Sequence, residues 1–298
     1  MVNLMVKKEE LLFDSRDEIT KLYACKWVPL SNRPELIVQL IHDAGKQLQD
    51  YEEVAVFLAK NNILVVGNDH LGHGRSATPE SSGYFCAQDP ATVLVRDVHR
   101  LKKTIEKEYP GVPIIMLGFG LGELILRNYL LRYATGIEGA ILVSPTDYGK
   151  ICDLAAIVKS KIAGVIKGQH AKSISVLEKS DSQSHKKEEL KRIYNEALFL
   201  ELSVNAHLAI VELVKRYKEA DLEALIPKKL PILIISSEED LTGNRGVMIQ
   251  NLYDDLLEAG LTKVQKKVYH TLQHDVLQGE QGEALLSDLQ NWISFHMS

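Results

Sequence analysis

Cysteine is scarce in this chain: only Cys25, Cys86 and Cys152 occur among 298 residues, far apart and in no metal-ligand spacing. An odd, scattered set argues against a disulfide framework or a zinc site and fits a reducing cytosol. Long hydrophobic runs are missing too, since no stretch approaches the ~20 apolar residues needed to span a bilayer. The opening MVNLMVKKEELLF is too short in apolar run and too quickly charged to act as a signal peptide. Basic excess is also absent. With 35 Lys and Arg against 40 Asp and Glu, the formal net charge is −5, which leaves no electrostatic footprint for nucleic acid. The expectation is a soluble, cytoplasmic protein with no metal, no cofactor and no nucleic-acid partner. The oligomeric state is not legible.

What is present is an ordinary globular composition, 45% hydrophobic and 25% charged, in a chain long enough for one large domain. Short apolar runs alternate with helical patterns. LLF, KLYACKWVPL and ELIVQLIH read as strands without helices between them, which predicts an antiparallel edge. Residues 50–60 read as a helix that opens on a D-x-x-E capping box, Asp50 and Glu53. Strands ILVVGNDH, PIIMLG, AILVSP, PILIISS and VQKKVYH then alternate with helices, the last running from about Ala284 through Trp292. Strands apolar on both faces and separated by helices predict an α/β fold, a mostly parallel sheet covered on both sides. The rhythm breaks over 146–226, which carries helical patterning and no convincing strand. The chain therefore divides into a core, 1–145 and 227–298, and an inserted helical cap, 146–226. The polar run EKSDSQSHKKEE at 178–189 reads as a turn between cap helices.

Residues 113–122, P-I-I-M-L-G-F-G-L-G, give a buried strand, a glycine-rich turn and a helix. That is the context of a nucleophile elbow, G-x-S-x-G, in which a sharp turn exposes a serine above the sheet. Gly118 and Gly122 stand where neighbouring elements leave no room for side chains. The central position is Gly120, which has no hydroxyl and forms no acyl-enzyme. Alone, the segment is equally a tight strand-to-helix turn. Two further residues complete the chain order of nucleophile, acid and base: Asp240 after the strand PILIISS, and His274 after the last strand.

These motifs together resemble the monoacylglycerol lipase and lysophospholipase family of α/β-hydrolases, the serine aminopeptidase-like branch. The resemblance covers 35–145 and 230–280. Its most specific stretch is N-D-H-L-G-H-G-R-S, residues 68–76, with Y-E-E from Tyr51, V-R-D-V at 95–98, E-E-D at 238–240 and Q-H-D-V-L at 273–277. It implies an α/β-hydrolase fold with a helical cap and carboxylic-ester chemistry. The implied site has Asp240 and His274 as acid and base, and the backbone amides of Ala44 and Leu121 as oxyanion donors. The family's 68–76 loop is structural, so His70 and His73 are not read as metal ligands. The departures cluster: the family's G-H-S-M-G has become Gly118-Phe119-Gly120-Leu121-Gly122, Glu123 follows it, and H-G-x-G has become His42-Asp43-Ala44-Gly45. A carboxylate within ~4 Å of a tetrahedral oxyanion would repel it by roughly 4 kcal/mol at an effective dielectric of 20, about what one oxyanion donor contributes. Because Asp43, Phe119 and Glu123 differ as well as Gly120, the pattern favours natural loss over a single engineered change.

In the cap, Ile151, Leu154, Val158, Ile162 and Val165 recur at helical period beside Lys150, Lys159, Lys161, Lys167 and Lys172. This helix either packs its apolar face on the domain below, the reading we favour, or rests on anionic lipid. The stretch 206–217 is apolar enough to line a ligand pocket over the elbow. Three functions follow. The first is a non-catalytic binder of a lipid or small apolar ester in a pocket under the cap. The others are a slow or unusual hydrolase or proton-transfer enzyme using His274 and Asp240, and a protein-interaction module. An inactivated lipase or esterase made by design is the engineered counterpart of the first. Ser76, Ser144, Ser236, Ser237 and Cys86 lack an elbow or an activating base.

Overall fold

The computed structural model describes residues 6–30, 33–149, 152–171, 202–238, 244, 246–269 and 282–297. Its sheet has eight strands: β1 (Val6–Asp14), β2 (Lys21–Pro29), β3 (Leu36–Ile41), β4 (Ile63–Asn68), β5 (Ile114–Phe119), β6 (Gly139–Val143), β7 (Ile232–Ser237) and β8 (Val264–Tyr269). Their spatial order is β1-β2-β4-β3-β5-β6-β7-β8. The antiparallel edge expected from the first apolar runs extends over β1 and β2, with β2 antiparallel to β4. The third run, β3, instead lies parallel between β4 and β5. Strands β3 to β7 are buried along their whole length, because helices cover both faces. At the outer edge, β1 presents the charged run Lys7–Glu10, which discourages pairing with another chain.

The helices are α1 (Glu52–Lys60), α2 (Pro90–Glu108), α3 (Leu121–Tyr133), α4 (Leu154–Lys167), α5 (Val204–Lys218), α6 (Leu222–Leu225), α7 (Val247–Glu258) and α8 (Gly282–Met297). One apolar core joins the sheet to α2, α3, α5 and α7; a second, on the opposite face, joins it to α1 and α8. The start of α2 shows how sequence sets a boundary. Pro90 fills the first turn, where no intrahelical N–H is needed, and the Asp89 carboxylate accepts from Thr92 N at 3.3 Å. At α1 the expected Asp50–Glu53 box is replaced by an earlier one. A short 3-10 turn, Leu48–Tyr51, precedes the helix, and Asp50 accepts from Gln47 N at 2.9 Å.

The inserted segment contributes α4, α5 and α6. Here the favoured packing of α4 is overturned. Leu154 (73% exposed), Ile162 (53%), Val165 (86%) and Ile166 (75%) face outward, together with Val158. The buried side instead carries Ser160 and Gly164, small enough for α4 to approach α5 closely. Ser160 Oγ lies 2.7 Å from His207 Nδ1, a buried hydrogen bond between the two helices. Helix α5 is held on α3 by Asn128, whose amide donates to the Leu213 carbonyl at 3.0 Å. The 178–189 turn lies outside the described residues, as do Asp240 and His274.

Candidate functional site

Strand β5 enters α3 through a turn centred on Gly120, whose backbone lies at φ 51°, ψ −110°. A residue with a β-carbon is strained there, and glycine is not. The flanking glycines are required by close backbone approach. A β-carbon on Gly118 would lie 2.6 Å from the Gly122 carbonyl oxygen, and one on Gly122 would lie 2.1 Å from that of Ile41. The turn is tied to the sheet by Gly120 N, which donates to the Val143 carbonyl at 3.0 Å.

A carboxylate lies against the open side of Gly120. Asp43 Oδ1 accepts from Leu121 N at 2.6 Å and from Ala44 N at 2.7 Å. These are the two amides that the sequence resemblance assigns as oxyanion donors. Leu121 N is also the first amide of a 13-residue helix, an end that favours negative charge. A β-carbon on Gly120 would meet Asp43 Oδ1 at 2.1 Å, Cγ at 2.2 Å and Oδ2 at 2.5 Å. The carboxylate and a side chain at position 120 therefore compete for one space.

The loop bearing Asp43 is fixed from beneath by the 68–76 segment. His70 N donates to His42 Nε2 at 2.9 Å, which leaves the proton on His42 Nδ1 to donate to the Asp43 carbonyl at 2.7 Å. His42 and His70 pack with ring centroids 4.0 Å apart, and His73 stacks on Phe85 at 5.9 Å. Burial lowers His42 and His73 to about 4 and His70 well below its ordinary value, so all three rings are neutral at pH 7. Asp69 anchors the segment with both oxygens, accepting from Leu48 N and Arg75 N, each at 2.7 Å. Among the described residues no group of His, Cys, Asp and Glu is arranged to hold a metal ion. On the other side of Asp43, its own N–H donates to Tyr51 Oη at 3.1 Å, and the Tyr51 ring packs on Phe119 at 4.7 Å.

Glu123 does not act as the second hostile carboxylate that its sequence position suggested. It is fully buried and turned along α3 onto Arg127, with Arg127 Nε 2.7 Å from Oε1 and Nη2 donating to Oε2 at 3.0 Å. Arg127 in turn stacks on the Tyr217 ring at 4.8 Å. Sequence reasoning missed this partner, although the i, i+4 spacing of Glu123 and Arg127 was the available signal. Cys86 is no substitute nucleophile: burial raises its thiol to about 11. Ser76 Oγ is engaged in the loop, donating to the Asp69 carbonyl at 2.8 Å and accepting from Tyr23 N at 2.9 Å. Helix α5, expected to line a pocket over the elbow, borders a cavity of about 480 Å³ displaced from it: Arg127, Tyr148, Tyr217, Asn251 and Asp255 are among its walls, and neither Gly120 nor Asp43 is among its described lining residues. A second cavity of about 430 Å³ lies between α5 and the start of α2, with Asp89, Asn205 and Arg216 in its wall.

The family model described as serine aminopeptidase, S33 matches residues 32–281. The mouse monoglyceride lipase is 26% identical over 294 residues, covering 93% of this chain and 88% of that protein. Among solved structures, a thermostable carboxyl esterase from Bacillus coagulans, in complex with glycerol, superimposes with a TM-score of 0.82 at 19% identity, covering 98% of this chain and 99% of that one. A monoglyceride lipase from Saccharomyces cerevisiae, in complex with a substrate analogue, gives a TM-score of 0.73 at 16% identity, covering 99% and 96%.

Proposed function

Because the chain belongs to the serine aminopeptidase S33 family, an α/β-hydrolase family, and lies in its monoglyceride lipase lineage, we propose that it binds a lipid or small apolar ester of the monoacylglycerol class without hydrolysing it. The observation that carries this reading is the Asp43 carboxylate seated on the amides of Ala44 and Leu121 beside Gly120. Acyl transfer in this lineage needs a hydroxyl at the elbow and an empty pair of amide donors for the developing oxyanion. Here the hydroxyl is missing and both donors already hold an anion. Asp240 and His274 keep their places in chain order, as acid and base without a nucleophile. Losing a nucleophile costs on the order of 10⁶ in turnover, and an occupied hole removes most of the residual catalysis.

The outward face of α4 supports a further part of the reading. Leu154, Val158, Ile162, Val165 and Ile166 form an exposed apolar stripe beside Lys159, Lys161 and Lys167. Such a helix suits peripheral contact with an anionic lipid surface, from which a single-chain lipid passes under the cap. Among the described residues no helix is long and apolar enough to cross a membrane.

Two assays test this. With monolauroylglycerol, the intact chain shows saturable binding by calorimetry and no release of fatty acid above a protein-free control. Release that disappears in the His274→Ala protein overturns the reading and establishes dyad chemistry. Co-sedimentation with phosphatidylserine vesicles is expected, and it is lost in Ile162→Glu/Ile166→Glu; unchanged sedimentation of that variant removes the α4 contact.

A further inference from the structure

Tyr217, on the last turn of α5, is 5% exposed, and its hydroxyl makes no hydrogen bond among the described residues. Folding has taken that oxygen out of water without giving it a partner, an uncommon outcome for a buried polar group. Tyr217 stands in the wall of the cavity of about 480 Å³ between α5, α7 and the loop after β6. The described walls carry three carboxylates, Asp147 on the loop and Asp254 and Asp255 on α7, against one lysine, Lys218. Arg127, the other cation in the wall, is already matched by the buried Glu123. Among the described residues Asp147 accepts only from Gly149 N, at 2.8 Å, and Asp254 only from the neutral amide of Gln250, at 2.7 Å. At Asp255, burial and the negative charge of Glu258 and Asp254 raise the carboxyl against the pull of Arg127. The space is therefore acidic.

An acidic rim alone is an ordinary solvated surface. Here it edges a concave space whose wall includes the buried, apolar Val214 and Leu252 as well as the unpartnered Tyr217 hydroxyl. From this combination we propose that the cavity is a second binding site, separate from the elbow, for an aliphatic amine and above all a diamine. An ammonium N–H gives the Tyr217 oxygen the donor that folding left out, and its charge answers the carboxylates. The acids come from two elements, the loop after β6 and α7, so a chain with an ammonium at each end meets both. Its methylenes then lie on Val214 and Leu252. A carboxylate or a phosphate meets like charge instead. The proposal does not depend on what binds at the elbow.

The test is calorimetric titration of the intact chain with hexane diamine, hexylamine and hexanoate at low salt, where exposed charges are least screened. One diamine binds per chain, about fivefold tighter than hexylamine, and hexanoate does not bind. Asp255→Asn and Asp147→Asn, each checked for a cooperative melt, weaken the diamine about fivefold. Tyr217→Phe removes a hydroxyl without breaking a hydrogen bond, so it weakens both amines about threefold and does not lower the urea midpoint. A purely structural Tyr217 would leave amine binding unmoved. Glu53→Gln, an exposed acid on α1 across the sheet, is the charge control and changes nothing. Several diamines per chain, weakened as much by Glu53→Gln as by Asp255→Asn, would mean diffuse attraction to an acidic protein and overturn the proposal. So would diamine binding unchanged in both aspartate variants, hexanoate binding as tightly as hexylamine, or no amine binding at all.

Discussion

Asp43 and Gly120 share one volume: the carboxylate oxygen Oδ1 stands 2.1 Å from where a β-carbon at position 120 would be. Neither residue can be changed to the lineage's usual type without consequences for the other. In sequence they lie 77 positions apart; in space they are a single device, an anion seated where a serine side chain would begin.

The first prediction concerns this coupling. Gly120→Ala places a β-carbon in a positive-φ turn and against Asp43. The turn strain costs about 1–3 kcal/mol and the clash a comparable amount. In an Asp43→Gly background only the strain remains. Urea denaturation of the two single variants and the double should give a coupling of at least about 1 kcal/mol. Additive effects would mean that Asp43 leaves the site freely.

Glu123 and Arg127 form a buried ion pair on α3, hydrogen-bonded from Nη2 to Oε2. Removing one partner strands the other charge in an apolar setting, at a cost of about 3–5 kcal/mol. Glu123→Gln should therefore lower the urea midpoint strongly, and adding Arg127→Met should restore most of it. A Glu123→Gln protein as stable as the parent would show that the pair is solvated.

Buried histidines give a pH dependence of defined sign. His42 and His73 fall to about 4 in the fold, against an ordinary value near 6.5, and His70 is lowered too. Between pH 6.5 and 4 the unfolded chain takes up these protons and the folded chain does not. Their contribution is thus complete above pH 6.5 and is lost as pH falls toward 4, by up to about 1.4 kcal/mol per pH unit for each ring. Asp97, raised by burial to about 7, opposes this: its contribution is greatest at low pH and is lost as pH rises through 7. The clean readout is a difference. His73→Phe, beside Phe85, should show a shallower fall of stability between pH 6.5 and 5 than the parent. Ring resonances of His42 and His70 should stay neutral at pH 5.5 by NMR. Titration near 6.5 would contradict the buried cluster.

Much of the fold was readable because burial on both faces leaves continuous apolar runs. Strands β3 to β7 and helices α2, α3 and α7 are legible for that reason. The elbow was readable because Gly118 and Gly122 answer to backbone contacts that admit no alternative. The partners of Asp43 and Glu123 were not. Position alone put both carboxylates near the same amides, yet one sits on them and the other turns onto Arg127. Which rotamer each adopts depends on space left by a glycine far along the chain and on a cation one helical turn away. The outward face of α4 was misjudged for a related reason. Its apolar period fits burial equally well, but the close approach to α5 requires the small side, Ser160 and Gly164.

The most direct measurement is covalent labelling by a fluorophosphonate, followed by intact mass, on four proteins: the parent, Gly120→Ser, Asp43→Gly and the double variant. The parent and Asp43→Gly have no hydroxyl at the elbow. Gly120→Ser has one, but it is crowded by Asp43 and lacks free amides for the phosphonyl oxygen. Only Asp43→Gly/Gly120→Ser should gain one adduct, on Gly120→Ser's new hydroxyl. Labelling of the single Gly120→Ser variant at the rate of the double would contradict the account, because Asp43 would then not hold the site.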